Sequence, residues 1–541
     1  MSAEAGDSAP TVAAMVARHL KRAGVRHSFV YPGDPIIDLL EEMRREELDV
    51  VLARREASAA FMAEGQAMRT GRLGVCVSTL GPGSTALVNG VAAATLDRVP
   101  MLAISGQIER SREQFFTHQV VDHRALYSPV TKWAGTLEPA SACTIMRKAL
   151  RLATAERPGA VHLTGGGDVF ASPAGEAEVA ALPSVVGGAP LALDAGGDVP
   201  LASLRHARRP VILAGIGAVR AEATKALVEL AESASAPVVV APMAKGVFPE
   251  SHPMFAGTLD MACDQVVWKF VASADLIVTA GFDAVELIRP WTMRLPVLHI
   301  DSLANTDQIY YAAEELIGNL TWGVEAVTSA WRGRGFWSEA EVAAHRSNLR
   351  NAYYLGREAG KLNPTDVVDI VGAAVPAGTV ITCDVGSHKL LVGQGWRAEE
   401  PRSVLMTNGL SSMGFGIPGA IGAQLVDDRC SVVAFVGDGG FAMAATELRL
   451  AVELKLPLVV VVMIDGSLNR IELKQMQRGY PSTATRMAEM DVAAMVEAMG
   501  CDATRVVTAA ELEEAMTDAT QRSRPLVIEA RIDPAQYESQ F

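Results

Sequence analysis

At 541 residues the chain is too long for a single hydrophobic core, and three units of about 150–200 residues are expected. Hydrophobic residues make up 49% and charged residues 20%, with a mean hydropathy of +0.20, which excludes a disordered chain and leaves ample apolar surface to bury. A net charge of −14 and a pI near 5.3 argue against nucleic acid as a general partner, though a local cation-rich pocket would still take an anionic substrate.

Thr11 to Ala23 carries apolar residues at helical spacing, and Ser28-Phe29-Val30 reads as a strand running into Tyr31-Pro32-Gly33-Asp34-Pro35. Val50 to Ala53 is a second strand, leading through Arg54-Arg55-Glu56 into an alanine-rich helix. Gly74 to Thr79 enters the turn Gly81-Pro82-Gly83-Ser84, and Pro100 to Gly106 is the next strand. Repeated strand–turn–helix units of this kind predict a parallel, doubly wound sheet. Residues 176–200 are rich in Ala, Gly and Pro and read as a linker.

A second α/β unit begins at Arg209 and carries Gly215-Ile216-Gly217 after its first strand. No third glycine follows at the dinucleotide fingerprint spacing, so the pair is read as packing geometry. Residues 325–362 are helical and polar, and a third unit starts near Asn363-Pro364-Thr365. The expected architecture is thus α/β, three doubly wound parallel-sheet domains over 8–175, 190–335 and 363–541. Among these, the first and third look like one architecture used twice.

The third unit holds the stretch on which function turns. Ser431 to Val436 is a short β-branched run, the composition of a strand buried on both faces, and it ends in Gly437-Asp438-Gly439-Gly440. A helix is expected over Phe441–Leu454, stopped by Pro457, and Leu458 to Ile464 is a second strand ending in Asp465-Gly466-Ser467. Two parallel strands therefore deliver one aspartate each to the same carboxyl edge, where open α/β sheets bind ligands. The helix start after Asp438 suits a phosphate, and two carboxylates facing phosphate require a hard cation between them, a role for Mg²⁺. Either aspartate alone would more often be a cap or turn residue.

This stretch resembles the thiamine diphosphate signature, Gly-Asp-Gly followed by helix, strand and an Asn or Asp, and is most similar to catabolic, flavin-independent acetolactate synthases. The resemblance spans nearly the whole chain and implies the domain order pyrimidine-binding, middle, diphosphate-binding. It implies that Asp438, Asp465 and the Ser467 carbonyl hold Mg²⁺. The diphosphate would be held by Gly386-Ser387-His388, by Gly437, Gly439 and Gly440, and by the turn Ser467-Leu468-Asn469. Met413 would wedge under the cofactor, with the Ser411 carbonyl accepting from its amino group. Glu56, in Arg54-Arg55-Glu56-Ala57-Ser58, would be the carboxyl that activates the aminopyrimidine; the family usually has His where Arg55 stands.

By the same resemblance, His118 and Gln119 would face the reacting carbon from a loop. Lys474 stands where relatives have a glutamine near the acceptor site, and is open to reading as a substrate-facing cation or as a solvated helix lysine. Gly281-Phe282-Asp283-Ala284-Val285-Glu286-Leu287 resembles the flavin-free enzymes, so FAD is not expected. The implied activity is decarboxylation of a small 2-oxo acid such as pyruvate, then carboligation to a second carbonyl. The alternatives are a simple decarboxylase, an acyltransferase to another acceptor such as phosphate, or a non-catalytic cofactor-binding protein. The family's site lies between subunits, so a homodimer at minimum, and a homotetramer by expectation, is implied.

Six scattered cysteines without a CxxC spacing, five of them in apolar or small-residue surroundings, suggest buried thiols in a reducing compartment. The N-terminal residues show no signal-peptide pattern, and no apolar run reaches membrane-spanning length, so no membrane partner and a cytoplasmic location are expected.

Overall fold

In the computed structural model, which describes residues 9–175, 179, 201–331, 335, 337–426 and 430–541, the strands form three six-stranded sheets, parallel throughout. The first contains β1 His27–Tyr31, β2 Asp49–Leu52, β3 Gly74–Ser78, β4 Met101–Gln107, β5 Trp133–Thr136 and β6 Ala160–Gly166, in the order β2-β1-β3-β4-β6-β5. The middle sheet contains β7 Pro210–Ala214, β8 Val238–Val240, β9 Phe255–Thr258, β10 Leu276–Ala280, β11 Val297–Asp301 and β12 Ala312–Ile317, in the order β12-β11-β10-β7-β8-β9. The third contains β13 Val380–Cys383, β14 Val404–Met406, β15 Val432–Gly437, β16 Leu458–Ile464, β17 Asp502–Val506 and β18 Leu526–Arg531, in the order β14-β13-β15-β16-β18-β17. The first sheet lies in one compact unit of the chain, the middle and third in another.

Renumbered from its own first strand, the third sheet has the strand order of the first, so one architecture is indeed used twice. The middle sheet has instead the order of a dinucleotide-binding fold, reversing between β7 and β10. The predicted linker at 176–200 lies outside the described residues except for position 179.

Central strands are buried on both faces, as their unbroken valine and isoleucine runs require: Val432 to Val436 and Leu458 to Val462 are essentially inaccessible. The helix expected over Phe441–Leu454 is in fact two, Asp438–Ala444 and Glu447–Glu453. Between them Leu448 and Arg449 donate to the carbonyls three residues back, a tightened 3₁₀ step that ends the first helix early. All six cysteines are free thiols; five are buried and Cys430 is half-buried. Among the described residues no helix is long and apolar enough to cross a membrane.

Candidate active site

The third sheet reverses direction between β13 and β15, and the tips of β13, β15 and β16 open there into a cavity of about 260 Å³. Every residue of this unit that was expected to hold the cofactor or its metal lines it: Gly386 to His388, Ser411, Met413, Gly437 to Gly440, Asp465, and Ser467 to Asn469. Three helices begin at its wall, Asp438–Ala444, Ser387–Gly395 and Asn469–Gln477. Their unpaired amides give that wall a positive partial charge suited to an anion.

The two aspartates are placed by register. Gly437 pairs with Met463 across β15 and β16, so the residues that follow leave neighbouring strand tips together. Asp438 Oδ1 accepts from the amide of Gly439 and Oδ2 from that of Gly466, both at 2.8 Å. Asp465 Oδ1 accepts from the Ser467 amide at 2.9 Å. Burial, and then the nearby Asp438 carboxylate, push Asp465 up to about 7; burial also raises Asp438. Two acids raised in this way gain from a cation that neutralises both. Among the described residues no group of three or more His, Cys, Asp or Glu side chains is placed to hold a metal ion, so a metal here would take two carboxylates, backbone carbonyl and ligand oxygens, the donor set of Mg²⁺.

Unsatisfied polar groups and the shape of the wall test whether a diphosphate fits. His388 is buried, and its Nε2 has no hydrogen-bond partner, which is costly unless a ligand supplies one. Desolvation lowers its pKa to about 4, against a hydrogen bond to the Asp384 backbone; an adjacent anion would restore the proton. Ser387 Oγ, donating to Asn469 Oδ1 at 2.7 Å, ties two of the helix starts together. At Gly439 a Cβ would stand 3.0 Å from both Leu468 Cδ2 and Met413 Cε, so only glycine leaves the floor of the cavity open. The residues fit an anion and its metal.

Three supporting residues were not singled out from the sequence. Asp384, fully buried at the tip of β13, accepts from the amides of Val385, Gly414 and Gly416 at 2.7–3.2 Å. Burial pushes it up to about 6 against those bonds. It therefore fixes the loop carrying Met413 to the same strand tip as His388. Glu472 accepts from Ser467 Oγ and pairs with Arg486 Nε at 2.7 Å, holding the turn after β16 to the 482–487 segment. Tyr537 lines the cavity from the last described element, Pro534–Ser539. Asp384 stands two residues before the Gly386-Ser387-His388 turn that the resemblance singled out; Tyr537 had no local signal.

In the first unit Glu56 opens the helix Glu56–Thr70 just beyond β2. A Cβ at Gly83 would come 3.3 Å from its Oε1, and one at Gly81 would come 2.7 Å from the Gln119 carbonyl oxygen. The tip of β2, the turn after β3 and the loop bearing Gln119 therefore converge, with Glu56 half-buried among them. His118 and Gln119 are exposed on that loop. Lys474 does not join the cavity: it is exposed on the Asn469–Gln477 helix, and Arg470 and Ile471, one turn earlier, line the wall instead. A side chain four residues along a helix returns to the same face but one turn farther from the strand tips.

The middle sheet's crevice is filled by the protein itself. The Glu286 carboxyl accepts from the Ile216 amide at 3.0 Å and from the Asp283 amide at 3.0 Å. A Cβ at Gly215 would collide with that carboxyl, and one at Gly217 would stand 2.7 Å from Gly281 Cα. The Gly215-Ile216-Gly217 pair is therefore packing geometry, as its spacing predicts.

An acidic pair beneath a ring of helix starts, at the switch point of a sheet whose strand order the chain uses twice, defines a cofactor-dependent α/β enzyme. Three family profiles match in chain order: thiamine pyrophosphate enzyme, N-terminal TPP binding domain (residues 10–126), central domain (201–327) and C-terminal TPP binding domain (384–530). The chain belongs to the thiamine diphosphate-dependent enzymes, close to the acetolactate synthases. It is 30% identical over 543 residues to the acetolactate synthase of Mycobacterium bovis, covering 95% of this chain and 86% of that one. It is 28% identical over 534 residues to that of Bacillus subtilis (96% of this chain, 93% of the relative). The catabolic acetolactate synthase of Raoultella terrigena is likewise 28% identical over 534 residues, with 96% and 94% covered.

Proposed function

We propose that this enzyme decarboxylates a small 2-oxo acid such as pyruvate and joins the acyl fragment to a second carbonyl compound, as an acetolactate synthase does. The observation that carries the reading is the pair Asp438 and Asp465 at neighbouring strand tips, lining one cavity with His388, whose buried Nε2 has no partner. Asp438, Asp465 and the Ser467 carbonyl would hold Mg²⁺; His388, Ser387 and the amides of Gly440 and Asn469 would donate to the diphosphate, with Gly439 and Leu468 packed beside it. Thiamine diphosphate, when bound, supplies the nucleophilic carbon and the electron sink. Met413 and the Ser411 carbonyl would orient its rings, and Gly437 keeps the wall beside His388 open.

Glu56 would hold the proton on the ring nitrogen and so set the tautomer that acts as internal base. His118 and Gln119 would face the reacting carbon from their loop, excluding water from it. In this reading Glu56 comes from one chain and the aspartate pair from another, so a homodimer is the smallest active unit and a homotetramer its expected form.

The test is to incubate the purified protein with thiamine diphosphate, Mg²⁺ and a panel of 2-oxo acids, and to identify products by mass. Acetolactate from pyruvate supports the proposal. Free acetaldehyde alone identifies a decarboxylase, and an acyl phosphate formed with phosphate identifies an acyltransferase; either overturns the carboligation. Glu56→Gln is expected to lower turnover by about 10²–10⁴-fold while cofactor stays bound; full activity would remove Glu56 from the chemistry.

A further inference from the structure

A second cleft, of about 680 Å³, lies between the helix Glu339–Tyr353, the β9 region of the middle sheet and the C-terminal end of the helix Ser387–Gly395. Its walls place it apart from the cofactor cavity, which opens at the other end of the last of these helices. Close approach keeps it open: a Cβ at Gly395 would collide with the Tyr353 hydroxyl, and one at Gly257 would stand 2.9 Å from Leu349 Cδ2.

Three guanidinium groups line it, Arg346, Arg350 and Arg397, on a chain whose net charge is −14. Arg346 and Arg350 are four residues apart and share one helix face. Arg346 is half-buried, and its Nη1 is held by the His252 carbonyl at 3.0 Å. Among the described residues neither Arg346 nor Arg350 has a carboxylate within ion-pair distance. Arg350 instead reaches the Tyr354 ring, 5.6 Å from its centroid. Arg397 pairs with Glu399 at 2.7 Å in an exposed contact of little net value. Of the acids in the wall, Glu250 is engaged by Lys245 Nζ at 2.6 Å and Glu339 sits exposed at the start of its helix.

Gathering like charges in a cleft is unfavourable, and burial together with the neighbouring Arg397 lowers the pKa of Arg346 against the opposing pull of Glu250 and Glu399. Guanidinium forks match the paired oxygens of phosphate and carboxylate groups. We propose that this cleft binds a small dianion, a phosphate ester or a dicarboxylate, through Arg346, Arg350 and Arg397.

The test is calorimetric titration of the enzyme, saturated with thiamine diphosphate and Mg²⁺, with glycerol phosphate and with succinate at constant ionic strength. Saturable binding of at least one of them is expected with a Kd below about 1 mM, weakened about tenfold or more in Arg346→Ala and in Arg350→Ala. Arg350 is exposed, so its replacement leaves folding intact and keeps the test meaningful if the Arg346 variant is unstable. Preference for glycerol phosphate marks a phosphate-ester site and preference for succinate a dicarboxylate site. Absence of saturable binding of either below about 10 mM, or binding unchanged in Arg350→Ala, would overturn the proposal.

Discussion

The middle and third sheets meet the same problem with opposite solutions. Each has a strand at its switch point that ends in a glycine turn and hands over to a helix, β7 to Ile216–Arg220 and β15 to Asp438–Ala444. In the middle sheet the helix start is occupied by Glu286 of the same chain, and Gly215 and Gly217 pack closely against Gly281. In the third sheet the corresponding place is a cavity with a buried, unpartnered imidazole nitrogen on its wall. Topology therefore places a crevice in both; the side chains at the tips decide whether the protein or a ligand fills it.

The sharpest way to break this comparison is to remove the open crevice's acid. Asp438→Ala leaves Asp465 alone and takes away the acceptor of the Gly439 and Gly466 amides. Turnover should fall more than about 100-fold, with thiamine diphosphate lost on gel filtration in chelator. Unchanged cofactor retention would show that the metal is held elsewhere.

Next in size is the plug. Glu286→Ala leaves the half-buried Ile216 and buried Asp283 amides without an acceptor, and unfolding by denaturant should show a loss of about 1–3 kcal/mol. The smallest effect is a change of slope. Burial raises Glu286 from 4.5 to about 8, so the folded chain binds a proton there that the unfolded chain releases. Its contribution is full below pH 4.5 and is lost as pH rises towards 8, a dependence Glu286→Gln cannot have. Stability of this variant relative to the parent should therefore rise across that window; parallel curves would mean that Glu286 is ionised in the fold.

Much of the third crevice was legible in the residues because its parts are local. Gly437 to Gly440 and Asp465 to Asn469 each follow directly on a β-branched run, and each run could only be a central strand. The helix after Asp438 was read too long, since apolar spacing does not register the 3₁₀ step near Ala445. Lys474 was considered for the site by resemblance alone; it shares the helix face of Arg470 but stands one turn farther from the strand tips.

What the amino-acid order determined by itself is the succession of strand, glycine turn and helix, and with it two aspartates on one sheet edge. That information is carried by neighbours in the chain, through propensity and periodicity. Only the tertiary structure decided that Glu286 closes the middle crevice from 70 residues away, that Asp384 gathers amides 30 residues distant, and that Tyr537 walls the cavity. Those are hydrogen bonds and contacts between segments brought together by packing, and no local pattern encodes a partner that far along the chain.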